Sequence, residues 1–407
     1  MTTAPARTRA PARQHRTPDQ EHPASTAVIA LLVMIAVLVL TQLYAAIPLI
    51  DPVGADLGGD ATLFLSTAFS ACYAAGFLVW GSLSDQYGRK KILLLGQVLL
   101  VTSTVACAFA ASLPMLGMLR GLQGLAAASF APVALAYLSE AVAPARRPTA
   151  IGAMSTAFLV AGIFGQVLAS TVSLHLNWAW LFLLTAAILL VGLAALSVGM
   201  RESARENLSG GLARRFTAIG RVVAKPRVLL LCLAHITLLL SFVAMYTALG
   251  PHLDDVGLDA SQVIWFRLVG LPGMFASLLV GPLGRRLGTA GVARAGFLTA
   301  GLGAAGEAAL SESLVGVAVA SLVFVTGVAL AVPSMITLFG QSAAPNVASG
   351  MALNGLVLFL GASIGPLVAG LGLAFPLFLF CLSRLLLVAA ASLTGFRFLE
   401  NRKGGRG

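Results

Sequence analysis

Residues 27–49 carry no charged side chain. About 20 such residues can hold their backbone in hydrocarbon only as a helix, because no water is present to complete the hydrogen bonds of any open conformation. Eleven further mostly apolar runs follow, at 63–82, 92–111, 115–138, 148–171, 178–199, 229–250, 262–283, 292–309, 313–338, 347–372 and 375–397. The pattern predicts an all-α integral membrane protein with twelve transmembrane helices. With 58% hydrophobic and 10% charged residues and a mean hydropathy of +0.93, the chain cannot be a soluble domain, which carries roughly 25% charged residues.

Charge sets the orientation. Of the 26 lysines and arginines, 23 fall on the side that holds both termini, Arg294 and Arg397 among them at the inner ends of runs; Arg120, Arg267 and Arg384 fall deeper within runs, and none falls on the other side. Basic residues collect on the cytoplasmic face, so both termini are expected inside a plasma (inner) membrane. The opposite loops carry acids instead: Asp51, Asp56 and Asp60, then Asp254, Asp255 and Asp259. The net charge of +11 therefore reports topology and not nucleic-acid binding, which needs a basic face with groove-reading or stacking residues. Cys72, Cys107, Cys232 and Cys381 all sit in apolar runs and suggest neither a disulfide framework nor a metal site.

The chain divides into a disordered cytoplasmic tail (1–26), a six-helix bundle (27–199), a cytoplasmic linker (200–228) with seven basic residues and the pair Gly210-Gly211, a second six-helix bundle (229–397) and a short tail (398–407). The first tail has no short apolar stretch with a cleavage site, so it is not read as a signal peptide. Two landmarks recur 200 positions apart. Gly281-Pro282-Leu283-Gly284-Arg285-Arg286-Leu287-Gly288 follows the eighth run as Gly81 to Gly88 follows the second, and Gly165-Gln166 in the fifth run matches Gly365-Pro366 in the eleventh. Such duplication is a mark of transporters, whose binding sites lie near the midplane between the repeats.

Between the second and third runs lies a polar knot in which Gly81 and Gly88 permit a tight reversal, Asp85 stands four residues before Arg89, and Lys90 and Lys91 complete a basic cluster. The pattern Gly81-x-Leu83-Ser84-Asp85-x-x-Gly88-Arg89-Lys90 resembles the signature loop of the major facilitator superfamily of secondary transporters. In the fourth run, Arg120 followed by Gln123 and Gly124 resembles that family's second signature. The resemblance implies two pseudo-symmetric bundles that rock to alternate access, with Gly81, Asp85, Gly88, Arg89 and Lys90 as a conformational gate. It implies that Asp85 faces the backbone N–H groups that begin the eleventh helix. The antiporter signature of the fifth helix is kept only in part: Gly152, Gly162 and Gly165 are present, but Gln166 stands where a proline is expected. Gly361-x-x-x-Gly365-Pro366 in the eleventh run is the fuller version and reads equally as a hinge or as plain helix packing.

A charge inside a membrane is costly and marks a functional site. The proton and substrate candidates are therefore Arg120, Gln123, Gln42, Tyr44, His235, Arg267 and Asn354, with Tyr246 and Arg384 as further intramembrane polar groups. Gly124, Gly162, Gly165, Gly365 and Pro366 are packing or hinge candidates. The family's usual cavity-lining helices, the first, fourth, seventh and tenth, favour Gln42, Arg120, Gln123 and His235. Arg120 could instead snorkel to the surface, and His235 could titrate or be a satisfied core histidine. Asp51 and Glu307 lie near outer ends of their runs, so a cavity with arginine and amide groups suits neutral or anionic solutes better than cations.

Gly301 to Gly306 spells a dinucleotide fingerprint and Gly361 to Gly365 a nucleophile elbow, but each needs a strand-to-helix turn. No phosphate-binding loop is present either. The chain is thus read as a transporter and not an enzyme, needing no cofactor, and moving a small organic solute with protons as a monomer in the lipid bilayer. Efflux is favoured, uptake by proton symport is the alternative, and a receptor that keeps the fold without transport is a third reading.

Overall fold

The computed structural model describes residues 24–143, 146–202, 212–344 and 346–404. The expected tail up to residue 23, the pair Gly210-Gly211 and residues 405–407 lie outside them. Among the described residues there are twelve long helices, one for each apolar run: α1 (Thr26–Tyr44), α2 (Thr62–Tyr87), α3 (Arg89–Cys107), α4 (Leu113–Ala141), α5 (Arg147–His175), α6 (Ala179–Gly199), α7 (Pro226–Asp255), α8 (Ala260–Leu287), α9 (Thr289–Ala309), α10 (Leu314–Ala343), α11 (Val347–Ala369) and α12 (Phe375–Gly404). No strand occurs among them. The helices begin where their caps predict: Ser25, Ser112 and Ser313 accept from the backbone three residues on, and Asp259 with Gln262 forms a capping box.

Eleven of the twelve are long and apolar enough to cross a bilayer. The other, α9, has 21 residues, and its composition sets it apart. It is rich in glycine and alanine because it lies backbone-to-backbone with α10. A methyl at Gly303 would strike the Phe324 backbone, and Gly296 and Gly327 face each other's backbones. The glycines of the apparent dinucleotide motif thus serve helix packing. The same holds for the apparent nucleophile elbow, where Gly361 and Gly365 press on the Ile236 and Leu240 carbonyls of α7.

Two short helices were not foreseen. Ala46–Leu57 continues α1 past a bend at Ala45, and Leu212–Val223 lies in the linker beside α2, α7 and α11. α8 is interrupted as well, passing through a four-residue helix at Leu271–Met274 and a 3₁₀ turn at Phe275–Leu279, next to Gly270 and Pro272.

The repeat in sequence is a repeat in backbone. Gly88 (φ 105°, ψ 147°) ends α2 and begins α3, and Gly288 (φ 72°, ψ 159°) ends α8 and begins α9. Each donates its N–H to the carbonyl four residues back, Gly88 to Ser84 and Gly288 to Gly284, at 3.0 Å. Both lie in a region open essentially to glycine alone.

Candidate functional site: two buried arginines and a cavity between the bundles

A cavity of about 890 Å³ opens at the end of the molecule that carries Asp51, Asp60, Asp254 and Asp255, and its walls come from the Ala46–Leu57 continuation of α1 and from α2, α5, α7, α8, α11 and α12. The opposite, basic end is closed where α2 meets α11. There Phe77 stacks on Phe359 with ring centroids 5.4 Å apart and Tyr73 meets Phe359 edge-on at 4.5 Å, while nearer the cavity the Thr67 hydroxyl donates to the Ser363 carbonyl at 2.9 Å. Gly355 is glycine because the Phe77 ring occupies the space of its side chain.

Arg120 reaches neither the surface nor this cavity; it is 1% exposed. Nε donates to the Leu65 carbonyl at 2.7 Å, Nη1 to Gln123 Oε1 at 2.5 Å and Nη2 to the Gln42 carbonyl at 2.8 Å. Gln123 Nε2 in turn donates to Gln42 Oε1 and to Thr104 Oγ1. The guanidinium also lies over the Phe69 ring, 4.3 Å from its centroid. Burying such a charge costs several kcal/mol. Three charged hydrogen bonds at about 1.5–3 kcal/mol each and a desolvated cation–π contact of about 2 kcal/mol offset that cost. The result joins α1, α2, α3 and α4 through one cation. Gly124 allows the approach, since its missing side chain leaves room for the Phe69 carbonyl.

The expected cavity-lining set therefore does not line the cavity in this conformation. Gln42, Arg120 and Gln123 form a hub inside the first bundle. His235 is wholly buried in the second, where Asn354 Nδ2 lies 2.8 Å from its Nε2 and its ring rests on Phe339. The hydrogen bond suits a neutral imidazole. Tyr44 is buried against Phe242 of α7, centroids 5.7 Å apart. Arg384 is exposed on α12.

Arg267 does line the cavity, with only 4% exposure. Its Nη1 donates to Gln166 Oε1 across the seam between α8 and α5, and Gln166 Nε2 donates to the Gly162 carbonyl at 2.7 Å. Gln166, standing where the family's motif has proline, is thus the partner of a buried arginine. Gly165 packs on the Thr41 backbone of α1, Gly162 faces the Phe242 ring across the seam, and Pro366 lies in the cavity wall.

At the basic end Arg89 pairs with Asp85 and with Glu140, the latter at 2.7 Å. Lys90 N–H donates to Glu202 at 3.0 Å, and Lys90 Nζ donates to the Ser197 carbonyl. The knot thus ties α2, α3, α4 and α6 together. Gly81 faces open space.

One acid is buried more deeply than its position in the sequence suggests. Glu307, near the end of α9, is wholly buried, and among the described residues it is the buried carboxyl. Its expected place near the outer end of the run holds, but its complete burial was not foreseen. A small-residue helix hides its neighbours well, and the glycines around Glu307 were the available signal.

These features fit comparisons with known proteins. A profile of the Major Facilitator Superfamily matches residues 31–366. Multidrug resistance protein 3 of Bacillus subtilis (strain 168) is 26% identical over 135 residues, covering 33% of this chain and 26% of that protein. The uncharacterized MFS-type transporter YybF of the same organism is 28% identical over 248 residues, 59% and 58% of the two chains. The chain thus matches between about a quarter and three fifths of these relatives' lengths. The crystal structure of a bacterial homolog to the human lysosomal transporter Spinster, inward-facing and unoccupied, superposes with a TM-score of 0.67 over 95% of this chain and 98% of that one, at 18% identity. With a profile match spanning most of its length and the same fold, the chain belongs to the Major Facilitator Superfamily.

Proposed function

We propose that this transporter exports a small organic compound, drug or metabolite, in exchange for protons, as a monomer in the cell membrane with both termini cytoplasmic. The two six-helix bundles rock about the seam that holds Gln166 and Arg267, and the loop from Gly81 to Lys90 gates the cytoplasmic end. The observation that carries the reading is the cavity closed at the basic end and open at the acidic one: with basic residues inside, it is a substrate-release and proton-loading conformation. The name of the Bacillus multidrug relative favours export over uptake.

Everted membrane vesicles test it. Chloramphenicol, a neutral drug, and ethidium, a cationic one, are offered with and without a proton gradient. Accumulation of either that collapses with the gradient supports export, whereas accumulation only in right-side-out vesicles supports symport uptake, and neither supports a non-transporting role. A reporter fused after Arg215 should behave as cytoplasmic and one inserted near Asp255 as external; the reverse would overturn the orientation.

A further inference from the structure

Four buried polar atoms without a hydrogen-bond partner at ordinary geometry gather in the second bundle: both carboxyl oxygens of Glu307 on α9, the Tyr246 hydroxyl on α7 and Nε of Arg267 on α8. Buried polar groups are nearly always paired, so several orphans in one neighbourhood call for an explanation. Tyr246 neighbours both Glu307 and Arg267, and the Ser321 side chain of α10 lies near enough to bond weakly to Tyr246 and to Glu307. Gly270 makes room for it, since a methyl there would lie 2.6 Å from the hydroxyl. Arg267 reaches the cavity wall. The series runs carboxyl, phenol, guanidinium, open cavity.

The charged neighbours are few, and the nearest to Arg267 is an acid, Asp254 of α7, which shares the cavity wall with it. No ion pair joins Arg267 to Glu307 among the described residues. α10 brings no titratable side chain, and α12 brings Cys381 and Arg384, both exposed, its other charged residues following from 397 onward at the basic end. His252 of α7 is held by the Ser311 carbonyl at 2.9 Å and stacks on Phe375. Arg285 and Arg286 of α8 and Arg294 of α9 stand toward the basic end. An unpaired carboxylate in such a setting costs several kcal/mol, and a neutral carboxylic acid far less.

We propose that Glu307 is the proton-carrying residue of the transport cycle, exchanging its proton with the cavity through Tyr246 under the control of Arg267; the proposal rests on the proton-coupled reading above. In the conformation described here Gln166 holds Arg267 across the seam, so Glu307 has no cation and carries a proton. The Tyr246 hydroxyl takes a proton from water that enters past Arg267 and passes its own to the carboxylate, ending as the phenol it began as. When the bundles rock and the Gln166 contact parts, the guanidinium turns to Glu307, the carboxylate pairs with it and the proton leaves. Arg267 stays charged throughout, and nothing is oxidised or reduced.

The test uses the purified full chain with no substrate. In infrared spectra taken across a pH titration, wild type should show a carboxylic-acid C=O band that Glu307→Gln removes and the exposed control Glu312→Gln leaves. Then, with the four native cysteines replaced by serine, Thr247→Cys in the cavity wall is labelled with a maleimide. Labelling, normalised to a reference cysteine at an exposed site, should change with pH when Glu307 is present, and its acid-to-alkaline ratio should fall to about one in Glu307→Gln, since a glutamine imitates the protonated acid in both conditions. Should Glu307→Gln not fold, Glu307→Asp must keep the pH response with its midpoint moved. A band or a pH response that survives Glu307→Gln overturns the assignment to Glu307 while leaving proton coupling intact; pH-independent labelling in wild type overturns both.

Discussion

Gln166 of α5 and Arg267 of α8 are joined by a hydrogen bond across the seam between the bundles, and Gln166 is held in turn by the Gly162 carbonyl. A hydrogen bond to a charged group is worth about 1.5–3 kcal/mol, and this one exists only while α5 and α8 stay together at the cavity floor. Gln166→Leu should therefore shift the balance away from the cavity-open conformation by about 10- to 150-fold. Gln166→Glu, which turns the contact into an ion pair, should shift it the other way. Maleimide labelling at Thr247→Cys reads both, and equal rates in the two variants would remove the seam contact from the gating account.

Arg120 makes a sharper demand on chemistry than on charge. Its three donations point to the Leu65 carbonyl, Gln123 and the Gln42 carbonyl, and a lysine ammonium cannot reproduce that planar fork. Arg120→Lys should insert normally yet lose at least about tenfold in transport, close to the loss from Arg120→Ala. Vesicle transport normalised to inserted protein decides the matter, and near-normal activity in Arg120→Lys would reduce the hub to a fixed positive charge.

The two arginines also show how much a sequence discloses. The twelve runs and the repeat were legible because lipid imposes one rule on every span. Arg120, Gln123 and Gly124 could be singled out because a charge in a run is conspicuous. Where Arg120 points was not legible: its partners Leu65 and Gln42 lie 55 and 78 positions away and offer backbone carbonyls, which any residue possesses. Gln166 was noticed as a missing proline, but its role depends on Arg267, 101 positions on. Glu307 was misjudged because closeness to a helix end was taken as closeness to water, whereas the packing of α9 on α10 and α12 buries it.

Asp85 stands at the head of a short ionic chain through Arg89 to Glu140. Its ties to Arg89 and onward lie within the first bundle, so its loss should loosen the basic end of α2 and slow turnover more than it weakens substrate binding. Glu140 is 36% exposed in its side chain, so water screens its half of the chain and the coupling is small, about 0.5–1 kcal/mol. A double-mutant cycle with Asp85→Asn and Glu140→Gln, read by thermal unfolding in detergent, should return a coupling of that size. Strict additivity would mean that the two acids hold Arg89 independently.

Gly88 and Gly288 occupy equivalent turns, yet alanine should not harm them equally. At both sites a side chain must adopt a backbone conformation that costs about 1–3 kcal/mol, so each substitution should lower stability. A methyl at Gly288 meets nothing within 4 Å, whereas one at Gly88 would lie 2.7 Å from a carboxyl oxygen of Glu202. That carboxyl accepts the Lys90 N–H at the start of α3, a charged cap of about 0.3–1 kcal/mol when exposed. Gly88→Ala should then be the more destabilising by roughly that amount, and the difference should vanish when both are made in a Glu202→Gln background, where the charged cap is already gone. Unfolding temperatures of the four proteins against their parents decide it; an equal loss at both turns in the wild-type background would show that Glu202 moves aside freely and that backbone strain alone sets the cost.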